Sequence, residues 1–374
     1  MIIDPSDPLP RTRAILLIVG FCASIAMGPV LFLLQGRVQT RSTPPLPALE
    51  LRAVLDGEYP KALEKHLVES SPVTHAIRGA YRDLWMGLGL LETGNAVIGR
   101  GGQLFLWGTL DEPRLFARDH APRQRHLAAI ARRATALGVT LLLVTVPDTA
   151  RVLPELLPEG REIPPARRAL YGEVLAEARA HGIDALDLAA AMAELRRSRP
   201  EEALYQATDT HWTLEACFRS AELVVRHLED RGVLAAIPRA SLRAATSMQR
   251  MGLGDLAEQT GLSPDGAFGP LVRAPIRWIG LFVRGPDGSE RTLDQREPDA
   301  GLAVAGDSFA DVGFVPALAG HAGRLVDAGG VLPAGGPRRG LDDTLARIER
   351  GELRARVVVW VVVERSFAEA WWGD

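Results

Sequence analysis

Two continuous apolar runs constrain the fold of this chain more than any other feature. They are VTLLLVTV at residues 139–146 and RVVVWVVV at residues 356–363. Unbroken runs of aliphatic and β-branched residues are typical of parallel strands that are buried on both faces, since a solvated face would require alternating polar residues. The rest of the chain must therefore supply helices that cover both sides of such a sheet.

The remaining pattern supplies those helices. Helical periodicity and stop signals alternate with short apolar segments, which predicts an α/β fold of three layers, with a parallel sheet between two layers of helices. In such sheets, functional groups gather beyond the carboxyl ends of the strands. The predicted helices are 126–137, 166–181, 214–230 and 341–351, and the further predicted strands are 183–188, 301–305 and 324–328.

An apolar segment near the N-terminus predicts membrane attachment. Residues 14–34 contain no charged residue, and at about 1.5 Å per residue they match a hydrocarbon core of about 30 Å. We predict an uncleaved transmembrane anchor after a cytoplasmic tail of residues 1–13; a signal peptide cut after Ala26 is the alternative. Two arginines stand on each side of the segment, so charge alone does not set its orientation.

The predicted domain organisation follows from the anchor. Residues 35–90 are expected to form a linker and helical region, beginning with the proline-rich TPPLPA. Residues 91–374 are expected to form the α/β domain. It opens with a hairpin at 97–107, and residues 240–297, rich in proline and glycine, are predicted as an insertion outside the core.

Composition excludes one class of partner and one kind of stabilisation. There are 43 basic and 46 acidic residues, and the basic ones form no clustered stripe, which argues against binding to nucleic acid. Cys22 lies in the apolar segment and Cys217 on a predicted helix, so the soluble part has no internal disulfide. The sequence predicts no cofactor.

Two short motifs fall at predicted strand ends. Ser308, in GDSF, directly follows strand 301–305, where a nucleophilic serine would have an exposed hydroxyl; the alternative for Asp307 and Ser308 is a helix cap. Asp209 and His211, in TDTHW, follow strand 183–188 and precede a helix. Residues two apart in extended backbone share a face, so Asp209 can bind one nitrogen of the His211 imidazole and orient the ring. The other imidazole nitrogen can then take a proton from Ser308.

The alternatives for the Asp-X-His pair are an incidental pairing and one arm of a metal site. A zinc site needs three protein ligands, and no further histidine or cysteine stands at ligand spacing from Asp209 and His211. We therefore predict no metal, and the two motifs together predict a Ser-His-Asp triad.

GDSF together with TDTHW resembles the SGNH-hydrolase superfamily. More narrowly, with VIGRGGQLFLWG and VTVPDTARVLPELLP, the chain from about residue 90 to its end is similar to the alginate-type polysaccharide O-acetyltransferases. The serine motif here follows the Asp-His motif, so the resemblance implies a circularly permuted SGNH-like sheet. It also implies Ser308, His211 and Asp209 as catalytic residues.

The resemblance further implies a reaction and a setting. An acetyl group would pass through Ser308 to hydroxyls of an exported exopolysaccharide, alginate-like or cellulose-like. The acetyl donor would be a membrane-bound O-acyltransferase partner. The chain would be a single-pass protein of the bacterial inner membrane with its catalytic domain in the periplasm.

The chain departs from the SGNH pattern at the oxyanion site. Its single asparagine, Asn95, is not where that pattern places one. We predict that Arg365 binds the oxyanion beside the Ser308 N–H; the alternative is a structural ion pair of Arg365 with Asp307 or Glu364. Further oxyanion or binding positions are predicted at Gly254, Asp255 and Asp307.

Aromatic and basic residues are predicted to bind substrate. Tyr205 and Trp212 would offer flat faces to pyranose rings, as would Trp371 and Trp372, although aromatic residues near strand ends are more often core. Arg151 and Arg365 would attract an acidic glycan.

Two other functions use the same features. An esterase would use the same three residues, with water replacing the sugar hydroxyl. A non-catalytic subunit would bind glycan and hold a secretion complex together.

Overall fold

We analysed a computed structural model of the chain. It describes residues 56–71, 92–93, 96–111, 121–244, 248–260, 273–278, 281–284, 288–292, 296–311, 313–332 and 336–368, with isolated positions between 52 and 84. The chain divides into two compact units. One comprises Met1–Leu90 and Gly261–Gly269, and the other comprises Leu91–Thr260 and Pro270–Asp374.

The first unit contains helix α1, Glu58–Ser70. The predicted anchor at residues 14–34 lies outside the described residues. Among the helices of the described part of the chain, none is long and apolar enough to cross a membrane.

The second unit is built on a five-stranded parallel sheet. In chain order its strands are β4 (Thr140–Val146), β5 (Asp184–Leu186), β11 (Leu302–Gly306), β12 (Val326–Val331) and β13 (Val357–Val363). In space their order is β12-β11-β13-β4-β5, and every neighbouring pair is parallel. The predicted sheet is confirmed, with strand limits shifted by a few residues.

Helices cover both faces of this sheet. The main ones are α2 (Ala121–Ala136), α4 (Pro165–Ala180), α5 (Leu188–Ser198), α6 (Leu214–Asp230), α9 (Phe314–Ala322) and α10 (Gly336–Glu349). The short helices are α3 (Thr149–Val152), α7 (Asp255–Thr260) and α8 (Ser308–Asp311). Sequence patterns predicted α2, α4, α6 and α10 and did not predict α5.

The central strand β13 shows why the runs are unbroken. Its side chains alternate between two cores: Val359 and Val361 pack on one face, while Val358 and Trp360 pack on the other. All seven residues of β13 are buried. Burying both faces provides the main favourable free energy for such a layer, at about 25 cal/mol per Å² of apolar surface.

The remaining strands lie outside the parallel sheet. The predicted hairpin is antiparallel β2 (Ala96–Ile98) and β3 (Leu104–Leu106), with β1 (Glu92–Thr93) on β2. Within the predicted insertion, β6 (Leu242–Ala244), β9 (Leu281–Arg284) and β10 (Glu290–Thr292) form one small antiparallel sheet. There β7 (Met248–Leu253) and β8 (Arg273–Trp278) form another.

Candidate active site

The turn after β11 presents Ser308. Gly306 has φ of 150°, and a Cβ on it would lie 1.9 Å from the Val361 carbonyl oxygen, so only glycine lets β11 approach β13 this closely. Asp307 then secures the turn, since its carboxylate accepts the N–H groups of Phe309 at 3.0 Å and Val363 at 2.9 Å. Ser308 therefore begins α8 with a half-buried side chain at the carboxyl end of the sheet.

A closed loop presents His211. Tyr205 and Trp212 form an antiparallel bridge at its base, and the Gln206 N–H donates to the His211 carbonyl at 3.1 Å. The hairpin supports the loop, because the Gln103 side chain donates to the Gln206 carbonyl at 3.2 Å. Thr213 then caps α6 by accepting the Ala216 N–H at 3.2 Å, which fixes the exit of the loop.

Ser308, His211 and Asp209 form one chain of hydrogen bonds. His211 Nε2 is 2.8 Å from Ser308 Oγ, and His211 Nδ1 is 2.6 Å from Asp209 Oδ1. The imidazole thus contacts a hydroxyl on one side and a carboxylate on the other. This arrangement can hold the tautomer that accepts a proton from the serine hydroxyl.

Asp209 is held by more than the imidazole. Its Oδ1 also accepts the His211 backbone N–H at 2.9 Å, and its Oδ2 accepts the Asp255 N–H at 2.9 Å. Burial acts to raise the pKa of Asp209, but the hydrogen bond and charge of His211, with these N–H groups, lower it overall. The carboxylate is therefore ionised and directed at the ring.

Aromatic packing fixes the orientation of the imidazole. The Phe309 ring lies 4.7 Å from the His211 ring, centroid to centroid. Trp212 is fully buried, stacks on Phe314 at 5.6 Å and donates its Nε1–H to the Phe309 carbonyl at 3.0 Å. The residue after the serine is thereby bonded to the residue after the histidine.

Tyr205 and Trp212 do not bind substrate, and the prediction that they offer faces to sugar rings is wrong. Tyr205 is 2% exposed and donates its hydroxyl to the Pro147 carbonyl, while Trp212 is 0% exposed. Both are core residues because each pairs its polar atom with a backbone carbonyl inside the protein. Trp371 and Trp372 lie outside the described residues.

The Arg151 prediction is also corrected. Its guanidinium binds Glu364, with Nε to Oε2 at 2.8 Å, and also donates to the carbonyls of Arg167 and Arg168. The positive charge of Arg151 is therefore paired with the largely buried carboxylate of Glu364 and does not face an acidic glycan.

Arg365 forms an ion pair, but with a partner that was not predicted. Its Nη1 lies 2.8 Å from Asp148 Oδ1, after β4, while Glu364 is bound by Arg151. The Arg365 guanidinium also lies over the Phe309 ring, 5.2 Å from its centroid. Arg365 is thus beside the residue that follows Ser308.

The other predicted oxyanion positions support the turn and the loop instead. The Asp307 N–H donates to the Val361 carbonyl, its carboxylate is satisfied by two N–H groups, and burial raises its pKa. The Asp255 N–H is taken by Asp209, and Gly254 packs on Thr208 so closely that a Cβ would lie 2.1 Å from its carbonyl oxygen. Among the described residues, the Ser308 N–H has no acceptor.

Sequence reasoning missed the role of Asp255. Its Oδ2 lies 3.8 Å from His211 Nδ1, and its carboxylate accepts the N–H and hydroxyl of Thr210 at 2.7 and 2.5 Å. Asp209, His211 and Asp255 offer ligand atoms within 4.8 Å of one another. The 2.6 Å between His211 Nδ1 and Asp209 Oδ1 is a hydrogen-bond distance, shorter than the roughly 3.3 Å that separates two ligand atoms held about 2 Å from a tetrahedral ion.

A parallel sheet with a serine after one strand and an Asp-X-His pair before a helix is the arrangement of an SGNH hydrolase-like protein. The family model described as SGNH hydrolase-like domain, acetyltransferase AlgX, matches residues 96–364. This match covers more than half of the chain, and the chain belongs to that family.

Two curated relatives are similar over part of their length. The probable alginate O-acetylase AlgJ of Pseudomonas aeruginosa is 29% identical over 60% of this chain and 56% of its own length. The corresponding AlgJ of Pseudomonas putida is 28% identical over 71% of this chain and 65% of its own. The chain thus spans less than two thirds of either relative.

Solved structures show the same fold. The O-acetyltransferase domain of Pseudomonas putida AlgJ superposes with a TM-score of 0.58 and 24% identity, covering 73% of this chain and 92% of that domain. Pseudomonas aeruginosa AlgX gives a TM-score of 0.57 and 19% identity over 78% of this chain and 67% of its own.

Proposed function

We propose that this protein is a polysaccharide O-acetyltransferase that carries the acetyl group on Ser308. The observation that carries the proposal is the hydrogen-bonded chain from Ser308 Oγ through His211 to Asp209, with contacts of 2.8 and 2.6 Å. Membership of the AlgX-type family, and the names of the AlgJ relatives, favour acetyl transfer to a polysaccharide.

The reaction has two balanced halves. Ser308 Oγ attacks the acetyl carbonyl while His211 Nε2 takes the hydroxyl proton, and the leaving group of the donor departs with that proton. A sugar hydroxyl then attacks the acetyl-serine ester and gives its proton to His211. Ser308 recovers a proton as the acetylated sugar leaves, and Asp209 holds the ring throughout.

Two groups are proposed to bind the oxyanion. The Ser308 N–H belongs to the residue that attacks the acetyl carbonyl, so it lies close to the reacting carbon. Arg365 lies over the next side chain, Phe309. One well-placed donor typically contributes about 3 kcal/mol of barrier reduction. Arg365 Nη1 is bound to Asp148 Oδ1 at 2.8 Å, which fixes the guanidinium beside Phe309.

The donor and the location complete the proposal. A membrane-bound O-acyltransferase would deliver the acetyl group, and residues 14–34 would anchor the chain in the bacterial inner membrane with its α/β domain in the periplasm. The apolar run and the family resemblance support this arrangement. A C-terminal alkaline phosphatase fusion tests it, because that reporter is active only after export.

The test of the proposed function is acetyl transfer by the full-length chain. An aryl acetate is supplied with and without an acidic oligosaccharide, and Ser308→Ala serves as the control. We expect acetyl-Ser308 by mass spectrometry and acetylated oligosaccharide with the native chain, and neither with the variant.

Other outcomes would favour the other functions. Hydrolysis at a rate indifferent to the sugar would favour an acetylesterase, which the partial exposure of the His211 side chain, 17%, permits. If Ser308→Ala cells acetylated their polymer normally while cells lacking the protein did not, the chain would be a non-catalytic subunit.

A further inference from the structure

A second carboxylate faces the imidazole of His211. Asp255 Oδ2 lies 3.8 Å from His211 Nδ1, the same nitrogen that Asp209 Oδ1 contacts at 2.6 Å. The Asp255 carboxylate is too distant for a direct hydrogen bond but close enough for strong attraction between unlike charges. The ring therefore lies between Ser308 on one side and two acids on the other.

The position of this second carboxylate is fixed by the loop that carries the histidine. Thr210 donates its N–H to Asp255 Oδ1 at 2.7 Å and its hydroxyl to Oδ2 at 2.5 Å. Thr210 is buried, whereas 35% of the Asp255 side chain is exposed, so the two bonds are shielded from the Thr210 side only. Gly254 allows this approach by packing directly on the Thr208 carbonyl.

Asp255 also holds the first carboxylate. Its backbone N–H donates to Asp209 Oδ2 at 2.9 Å, while the imidazole and the His211 N–H occupy Oδ1. Both oxygens of Asp209 are thereby fixed. A single residue, Asp255, thus fixes the orienting acid with its main chain and adds a charge with its side chain.

Keeping this charge is unfavourable for the fold. Burial first, and then the charge of Asp209, raise the pKa of Asp255, although the two Thr210 hydrogen bonds and His211 oppose the rise. A carboxylate with a raised pKa stabilises the folded protein most when it is neutral, so its ionised form at neutral pH reduces stability. A residue kept for packing alone would not need the charge.

We propose that Asp255 is a positioning residue for the acetyl transfer proposed above, and that its carboxylate charge stabilises the protonated imidazole formed when His211 takes the proton of Ser308. The proton moves from Ser308 Oγ to His211 Nε2, and it returns to the leaving group. Asp255 neither gains nor loses a proton in this step.

Several charged groups lie near His211, and the test must separate the effect of Asp255 from the effects of the others. Asp209 and Asp255 face Nδ1, the buried Asp307 follows β11, and the Arg365 guanidinium lies on the far side of Phe309. Of the three carboxylates, Asp255 is the one that can be neutralised without removing a direct bond to the ring or to the turn that carries Ser308.

The test is Asp255→Asn in the full-length chain. The amide oxygen can still accept the Thr210 N–H, and the amide nitrogen can donate to the Thr210 hydroxyl, so both contacts remain, one of them with its direction reversed, while the charge is lost. The measurement is the rate at which a fluorophosphonate labels Ser308, followed by mass spectrometry from pH 4 to pH 9. This readout needs an activated serine and no acetyl donor or sugar.

We expect the variant to react about tenfold more slowly at the plateau of the pH profile. We also expect the midpoint of its acid limb to move down by about one pH unit, as for loss of a neighbouring opposite charge. Removing a negative charge makes the protonated ring less stable, so the ring becomes a free base at lower pH. The urea midpoint at pH 7 should be unchanged or higher.

Asp184→Asn is the matched control. Asp184 contacts His227 Nε2 at 2.8 Å and Arg231 at 3.2 Å, so it is a carboxylate paired with a histidine outside the site. This variant should leave the labelling rate and the pH midpoint unchanged. A slower Asp255→Asn with an unmoved midpoint, or with a lower urea midpoint, would show a structural role and overturn the inference.

The two proposals fail in different ways. Labelling of the native chain without acetyl transfer would refute the proposed function, while the midpoint comparison would still decide the role of Asp255. If the native chain were not labelled, Ser308 would not be activated and both would fall.

Discussion

Gly254→Ala provides the sharpest test of how the loop and α7 hold Asp209. The added Cβ would lie 2.1 Å from the Thr208 carbonyl oxygen and 2.7 Å from Asp209 Cβ. Gly254 is not among the glycines with a positive φ, so the effect of the added Cβ is steric. To reach ordinary contact, the segment carrying Asp255 must move away by more than an ångström.

That movement has a calculable consequence. The Asp255 N–H bond to Asp209 Oδ2, 2.9 Å long, would stretch beyond hydrogen-bond length. Losing one hydrogen bond to a charged group costs about 1.5–3 kcal/mol of stability. An error of about 1 Å in the placement of the orienting acid should lower kcat/KM about 100-fold.

Gly172→Ala is the control, since Gly172 lies within α4 and its added Cβ would meet nothing within 4 Å. That variant should keep full activity and gain up to about 1 kcal/mol of stability from helix propensity. The assay is acetyl-ester turnover beside urea unfolding. If Gly254→Ala retained more than half of the native kcat/KM, the reasoning about the loop would be refuted.

Two further predictions concern the charges at the site. Asp209→Asn should lower kcat about 10⁴-fold by removing the acceptor that fixes the imidazole. Because the fold lowers the pKa of Asp209, its carboxylate stabilises the folded protein above pH 3.8, and this stabilisation is lost as the pH falls further. The free energy of unfolding measured with urea should therefore fall more in acid for the native chain than for the variant. Arg365→Ala should slow transfer about 100-fold more than Asp148→Asn does, because only the former removes an oxyanion donor; equal losses in the two variants would show that the ion pair is purely structural.

The sheet was predictable because burial of both strand faces leaves a direct record in the sequence. The runs 139–146 and 356–363 contain almost no polar residue, so their period and length identify central strands. The meeting of Ser308 with His211 followed from the rule that the carboxyl ends of parallel strands share an edge. Neither conclusion required the identity of any contact.

Contacts between side chains were less predictable. Tyr205 and Trp212 point inward because of bonds to carbonyls of Pro147 and Phe309, which no local pattern records. Arg365 pairs with Asp148, 217 positions away in the chain. The sequence suggested Glu364, its direct neighbour, or Asp307, which follows another strand of the sheet. An arginine in a chain with many acids can pair with several of them, and only the fold selects one.

Asp255 shows a further limit. It lies 46 positions from the Asp209 carboxylate that its N–H binds, within a region of short antiparallel strands outside the main sheet. The rule that functional groups gather at the carboxyl ends of parallel strands says nothing about such a segment. The clue in the sequence was the small residue before it, since Gly254 is where two backbones approach.

The bond from the Trp212 indole to the Phe309 carbonyl bridges 97 positions of sequence, one place beyond each reacting residue. This bond ties the segment that carries Ser308 to the segment that carries His211, and it helps to hold the 2.8 Å spacing between their side chains. An engineer who transplanted the serine and the histidine onto a foreign scaffold without this indole tie would obtain the correct chemistry at an uncontrolled separation. A transplanted site would also need Asp209, whose carboxylate contacts the imidazole at 2.6 Å.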